Sequence, residues 1–530
     1  MISYDDPNQQ PLPGFEKFHG YPLVMDNRWV KLSKLIPWNE FAKAYDKNMS
    51  SGVGRPSKPA RLVIGAVIIK HKLCLSDQET IDQILENPYL QYFVGFNSFQ
   101  TEAPFVPSLF VEIRRRMGDD LFEQFNQSIV NLLESKPKTK VKKSVNDNNH
   151  RADSSPNAGE GQPATKSEPK THKGKLLIDA TVAEQAIRFP TDLGLLNEAR
   201  EISEALIDTL YPVSGLKKKP RTYRRKARKT YLSLAKQKNP LKKKRRKAIK
   251  QQLQFLKRNL THIDNFLNMV NDESTALTAH QRRQYWIIQE VYRQQEEMLR
   301  KREQRCNHRI VSISQPHVRP IVRGKTGKKV EFGAKLGVSL NNNGIAHVDN
   351  LDWNAYHEGH DLPSQVENYK KRYGCYPEVV MADQIYGSRE NRKYLKELKI
   401  RFAGKALGRP KKETAENKKE LRQERLQRKA EYQQRIPIEG KFGQGKNGYR
   451  LNYIRARTQS TSEAWIRSIF LAMNLLVLAS SFLRPQKTGL SNSYSFIKEL
   501  ILHVCSELIA SLHPAGSHAV TGGRYEILTF

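Results

Sequence analysis

The apolar positions change period along the chain, and each change marks a predicted element. From Pro59 to about Lys72 the residues Leu62, Val63, Ala66 and Ile69, continuing to Leu73, recur at the spacing of one helix face. Ser76-Asp-Gln-Glu79 has the form of a capping box, and it opens a second helix through Ile81 and Leu85 that Pro88 closes. A third helix is expected from about Pro107 to Met117, ending in Arg114-Arg115-Arg116, and a fourth from Asp119 to Glu134. This all-α unit, residues 56–135 after an N-terminal extension of residues 1–55, reads equally as a DNA-binding module or as a small bundle with a solvated basic end.

From Ser135 to Gly174 apolar residues almost vanish, so residues 136–174 cannot bury enough surface to offset chain entropy and are expected to be a flexible linker. A second domain, residues 175–484, then opens with the apolar run Lys175-Leu-Leu-Ile-Asp179. Helical periodicity follows at Leu195–Leu210, again at Leu253, Leu256 and Leu260, and from Gln281 to Arg302, which together make a helical insertion over about residues 200–305. From Val330 to Leu340 the period is two, the pattern of a half-buried strand, and Asn341-Asn-Asn-Gly344 turns it into a hairpin with Ile345–Val348. A helix (Leu362–Tyr373), a buried strand (Glu378–Asp383), a helix (Ser388–Leu398) and a short strand (Ile400–Ala403) complete a mixed α/β sheet with helical layers. Lys411–Gln434 reads as an exposed connecting helix and Ser462–Leu483 as a core helix backing the sheet. Residues 485–530 form a tail to which the sequence assigns no role.

Charge changes this picture more than size does. The 530 residues carry a formal net charge of +36, which calls for a polyanionic partner, with nucleic acid the default. Thr209–Ile263 holds roughly twenty Lys and Arg residues and no acid; Arg224, Arg225, Lys226, Lys243 and Arg245 sit in its two densest clusters. No membrane partner is expected, because the most apolar stretch, Ile469–Leu483, falls short of the roughly 18 residues a spanning helix needs. The N-terminus has neither a basic region nor an apolar core of a secretory signal, which points to the cytoplasm. The four cysteines are scattered, so neither a disulfide framework nor a zinc finger is expected.

Three acids stand out as candidate chemistry. Asp179 and Asp383 each end an apolar run, Leu-Leu-Ile-Asp and Val-Val-Met-Ala-Asp, at the strand end where ligands and metals bind in open α/β sheets. Glu439 lies in the spacing Tyr432-x2-Arg435-x3-Glu439-x6-Lys446; if that segment is helical, Arg435, Glu439 and Lys446 share one face. Pro437 is compatible with a helix whose first turn starts near Arg435. Three carboxylates drawn from distant segments can hold Mg²⁺ or Mn²⁺, which prefer oxygen ligands, and a metal pair can clamp the attacking and leaving oxygens of a phosphoryl displacement. Taken singly, each acid is more often a turn, cap or surface ion pair. His357-Glu358-Gly-His360-Asp361 reads as a loop before a helix rather than a metal site, and Asp192 as a cap of the helix starting near Leu193.

The segments Leu-Ile-Asp179-Ala-Thr-Val with Phe189-Pro-Thr-Asp192, Ala382-Asp383-Gln-Ile-Tyr-Gly387, and Tyr432-x2-Arg435-x3-Glu439-x6-Lys446 resemble those of bacterial insertion-sequence transposases of the Asp-Asp-Glu class with a Tyr-Arg-Glu-Lys signature. The resemblance covers roughly residues 55–480 and departs at Gln384, where many relatives carry a basic residue or glycine. It implies a ribonuclease-H-like catalytic domain with the first acid on the first strand, the second on the fourth and the glutamate on a later helix. It further implies magnesium-dependent cleavage at an element's terminal inverted repeats, joining of the freed 3′-hydroxyls to target DNA, a homodimer that processes two ends, and phosphate contacts from Tyr432, Arg435 and Lys446. The rivals are a nuclease of the same fold that does not join strands, and a noncatalytic DNA-binding protein or repressor.

Overall fold

A computed structural model describes residues 17–18, 21–47, 49, 56–135, 172–269, 276–323, 330–409, 413–414 and 417–483. The linker, but for its last three residues, and the tail after Pro485 lie outside the described residues. The described residues up to Ala479 form one compact unit.

After a two-residue hairpin, β1 (Lys17–Phe18) with β2 (Tyr21–Pro22), come two helices the hydrophobic pattern did not reveal, α1 (Arg28–Leu35) and α2 (Trp38–Asp46). Asn27 caps the first, its side chain accepting from the Trp29 N–H at 2.8 Å. The expected helices follow as α3 (Ala60–Leu73), α4 (Asp77–Glu86), α6 (Leu109–Arg116) and α7 (Asp119–Ser135). Both halves of the Ser76–Glu79 capping box form. Pro88 does more than close α4: it begins a further helix, α5 (Pro88–Val94), whose N-cap Asn87 accepts from the Tyr89 N–H at 2.9 Å. A proline fits there because the first-turn N–H has no helical partner in any case.

These helices share one core, with Phe41, Ile64, Ile69, Phe93, Phe110 and Phe125 fully buried and the Phe41 and Phe125 rings stacked 4.3 Å apart. Each such side chain stabilises by about 1.5–3 kcal/mol on burial. The same core takes in Ile345 and the apolar residues Ala464, Leu471, Leu475 and Leu478. The helical unit is therefore fused to the sheet domain rather than tethered to it.

That domain is a six-stranded mixed sheet of β3 (Lys175–Glu184), β4 (Arg319–Val322), β5 (Val330–Leu340), β6 (Ala346–Asp352), β7 (Val379–Met381) and β8 (Arg401–Ala403). The order runs β4-β5-β3-β7-β8, with β6 also on β5; β3, β4 and β6 are antiparallel to β5, whereas β7 and β8 run parallel to β3. Strand β5 is covered on both faces over much of its length, so Gly333, Gly337 and Ser339 are buried along with Ala334, Leu336, Val338 and Leu340. Gly344 sits at φ +80° in the β5–β6 turn, a conformation an L side chain resists.

Between β3 and β4 stands the insertion: α8 (Asp192–Leu210), α9 (Arg224–Ala235), α10 (Lys242–Met269) and α11 (Ala279–Lys301), packed on Leu196, Leu210, Leu256, Ile263, Ile288 and Val291. Later come α12 (Leu362–Tyr373), α13 (Arg389–Glu397), α14 (Lys418–Gln433), α15 (Ile436–Gly443) and α16 (Gln459–Leu483). Helix α14 buries no residue, as its composition predicts. By length and composition α16 is long and apolar enough to cross a membrane, contrary to the sequence-based expectation. Its apolar surface is instead divided between two cores, Trp465, Ile466, Ile469 and Phe470 facing the sheet and Leu471, Leu475 and Leu478 facing the helical unit. Its buried Asn474 is satisfied by both the N–H and the carbonyl of Ala346 and by Asn126.

Candidate active site

Asp179 lies in the middle of β3, not at its end as the apolar run suggests, because β5 pairs with β3 from Leu177 through Glu184. On the other side β7 stops at Met381, and the parallel register pairs Lys175 with Val379 and Leu177 with Met381. Two residues further along both chains, Asp383 comes level with Asp179. The second acid does stand at a strand end, and it opens a 3₁₀ turn, Gln384–Tyr386. The Asn391 side chain fixes that turn by donating to the carbonyls of Tyr386 and Gly359, at 2.9 and 2.6 Å.

Helix α15 starts directly after Arg435, with Pro437 in its first turn, and packs on β3. It carries Glu439. One guanidinium nitrogen of Arg435, Nη1, ion-pairs with Asp383, and the other, Nη2, lies 3.3 Å from Glu439 Oε1. The guanidinium also lies 5.7 Å from the ring centre of the exposed Tyr432. Asp383 and Glu439 are half exposed, at 50% and 52%, while Arg435 is 12% exposed, so its charge sits beneath the two carboxylates. Burial raises the Asp179 carboxyl to about 6; the charges of Asp383 and Glu358 add to the rise, and the Ala180 N–H and Arg435 oppose it.

Lys446 departs from expectation. The chain widens into a π-helical turn at Gln444–Gly448, and Lys446 Nζ reaches 3.7 Å from Glu331 Oε1 instead of continuing the Arg435–Glu439 face. Glu331 is 4% exposed and lies 3.5 Å from Arg323 Nε, while Arg323 Nη1 donates to the Ala180 carbonyl at 3.4 Å. Glu331, Arg323 and Glu358 were not read from the sequence: strict alternation puts Glu331 on the polar face, and Glu358 sits in the loop set aside above. Glu358 pairs with Lys335 at 3.0 Å.

The other basic residues separate into two groups. Arg114 turns inward, 6% exposed, with a two-pronged pair to Asp77 at 3.0 Å and its guanidinium 5.2 Å from the Trp465 ring centre. This corrects its expected role as a DNA contact: the helix face that carries Arg114 is the one α16 covers. Arg224 is held by Asp208 and Glu204. Arg115 and Arg116 are exposed, although Arg115 pairs with Glu112, and Arg225, Lys226, Lys243 and Arg245 are exposed on the insertion. Asp192 is not the helix cap either; Thr191 accepts from the Gly194 N–H, and Asp192 binds Arg309 and Gln295.

Among the described residues no three His, Cys, Asp or Glu side chains converge closely enough to hold a metal ion. The donor chemistry of Asp179, Asp383 and Glu439 nevertheless fits a hard cation. All three are carboxylates, Asp179 is strained by burial and like charge, and the positive charge that now balances Asp383 and Glu439 belongs to a side chain, Arg435.

Residues 380–476, which include Asp383 and the whole Tyr432-to-Lys446 segment, match the family model described as Transposase DDE domain. Residues 21–116, from β2 to the end of α6, match the one described as Transposase domain (DUF772). A stretch of 101 residues, 19% of this chain, is 39% identical to an uncharacterized protein, ORF8 in the nfe locus of Rhizobium meliloti, and covers 48% of that protein. The chain thus spans about half the length of this relative. No solved structure matches the chain. Two separate segments resemble transposase domains, which supports an insertion-sequence transposase family and a protein of the DDE type.

Proposed function

We propose that the protein is a transposase that binds the terminal inverted repeats of an insertion sequence, cleaves there, and joins the freed 3′-hydroxyls to target DNA. The observation that carries this reading is the β3–β7 register, which sets Asp179 beside Asp383, together with Arg435, which ties Asp383 to Glu439. The strand order, with β5 antiparallel to β3, β4 and β6 and with β7 and β8 parallel to β3, supports a ribonuclease-H-like domain.

Asp179, Asp383 and Glu439 would hold Mg²⁺, with Mn²⁺ as substitute. When bound, a metal pair supplies charge neutralisation at the scissile phosphate and a water of lowered pKa. The chain's own part is positional. Arg435 leaves the carboxylates for a backbone phosphate as DNA enters, and Tyr432 flanks that phosphate. Lys446, braced by Glu331, holds the neighbouring one. Arg115, Arg116, Arg225, Lys226, Lys243 and Arg245 add sequence-independent attraction through counterion release. Two ends must be processed together, so the working form is a homodimer on DNA, in the bacterial cytoplasm at the nucleoid.

The test is Glu439→Ala and Asp383→Asn, assayed on duplexes carrying the element's ends. DNA binding stays within about threefold while magnesium-dependent cleavage disappears. Cleavage that survives either substitution rules out the assignment.

A further inference from the structure

A cleft of about 1360 Å³ lies between the start of α10, the end of α11 with the loop through Arg309, and the β4–β5 edge at Pro320, Val322 and Val330. We infer that it seats the phosphate backbone of duplex DNA without regard to sequence, and, resting on the strand-transfer reading above, that it takes the target DNA rather than the element's ends.

The charge balance of its walls points to an anion. Arg293, Lys301 and Arg309 are neutralised in place by Glu290, Glu297 and Asp192. Lys242, Lys243, Arg245, Arg246, Arg302 and Arg305 are exposed, and among the described residues none of the six is paired with a carboxylate. Four of these cations, Lys242, Lys243, Arg245 and Arg246, lie within the first five residues of α10, whose first turn contains no acid. A helix start already carries partial positive charge and unsatisfied N–H groups, so cations there oppose the dipole until a negative group arrives. Phosphate answers both demands at once.

The lining also says how the DNA is read. None of the described lining residues is aromatic, so unpaired bases find no surface to stack on, and the polar tips are long flexible cations suited to backbone oxygens. Terminal repeats must be recognised by sequence; a target need not be. Val322 and Val330 in its wall precede Arg323 and Glu331 in the chain, and Arg323 reaches the carbonyl of Ala180 next to Asp179, which ties the strands bordering the cleft to the strand that carries the first acid.

The experiment uses the full chain, the exposed double variant Arg246→Glu/Arg305→Glu, and a charge-matched control, Lys34→Glu/Lys43→Glu, at exposed positions on α1 and α2. Affinity for a labelled random-sequence duplex is measured against salt concentration. The cleft variant is expected to bind at least tenfold more weakly, with the slope of log affinity against log salt shallower by about two, while the control changes less than twofold. On duplexes carrying the element's ends, the cleft variant cleaves normally in magnesium but joins poorly to target. Equal losses in the cleft and control variants overturn the phosphate seat. End cleavage that falls as far as joining overturns the target assignment. A wild type that never joins strands, yet binds random duplex through the cleft, keeps the seat and removes the target role together with the strand-transfer reading.

Discussion

Arg435 donates to Asp383 from one guanidinium nitrogen and lies within 3.3 Å of Glu439 from the other, so a side chain supplies the positive charge between two candidate metal ligands. Such an internal cation competes with an external one. Replacing Arg435 with Ala is expected to tighten Mn²⁺ binding to the free protein about fivefold, roughly 1 kcal/mol for half-exposed carboxylates relieved of their partner. Affinity for duplex DNA falls in the same variant because a phosphate contact is lost. Calorimetric Mn²⁺ titration with and without DNA separates the two effects, and unchanged or weaker metal binding by the variant contradicts the competition.

The sequence carried the elements well and their packing poorly. Capping residues and periodicity located α3, α4, α7, α11 and β5 to within a few residues, because those signals are local. The closeness of Asp179 and Asp383 was anticipated only through the joint pattern, since the register that brings them level involves residues 204 positions apart. What stayed hidden was set by tertiary contacts. Arg114 looked like a basic helix end until α16 covered it, and Lys446 looked like a continuation of the Arg435–Glu439 face until the helix widened at Gln444. Helix α16 was legible as apolar, but not as the shared wall of two cores.

Arg114 gives a stability prediction opposite to that for an exposed DNA contact. Its guanidinium is buried against Asp77 and Trp465. Arg114→Ala leaves Asp77 with Lys70 alone, 2.9 Å away, and is expected to cost about 2–3 kcal/mol, less than a fully buried broken pair because Asp77 is 28% exposed. DNA affinity of the folded variant should match the wild type. A variant with normal denaturant stability and weakened DNA binding would restore the phosphate role.

Acid should loosen the contact between the helical unit and the sheet domain. Burial alone would raise the Glu123 carboxyl, but His347, whose Nδ1 lies 3.7 Å away, and the charge of Arg372 outweigh it and hold the group down at about 2, against an ordinary 4.5. Arg372 is shared with Asp349 on β6, at 2.5 Å. Because the folded-state value is depressed, the contribution is complete above about pH 4.5 and is lost as pH falls from there toward 2, where the unfolded chain takes up the proton first. Urea midpoints should therefore drop more steeply in the wild type than in Glu123→Gln across that window. Parallel acid limbs for the two proteins would remove Glu123 from the account.

Glu331 tests whether Lys446 must be held in place or need only be present. The carboxylate is 4% exposed between Lys446 and Arg323, themselves only 20% and 17% exposed. Glu331→Gln keeps the shape and removes the counter-charge, leaving two cations to repel one another in a poorly solvated place; a destabilisation of about 1–3 kcal/mol is expected. Lys446 then turns toward solvent. Attraction for DNA is retained, because net positive charge near the site rises, so the dissociation constant stays within about threefold or falls. Cleavage depends on position and should drop at least tenfold. Adding Lys446→Met to Glu331→Gln removes one of the opposed charges, so stability recovers while cleavage does not, which distinguishes a positioning role from a merely structural one. Glu331→Gln protein that is as stable and as active as the wild type would mean that the pairing of Lys446 with Glu331 has no part in the chemistry.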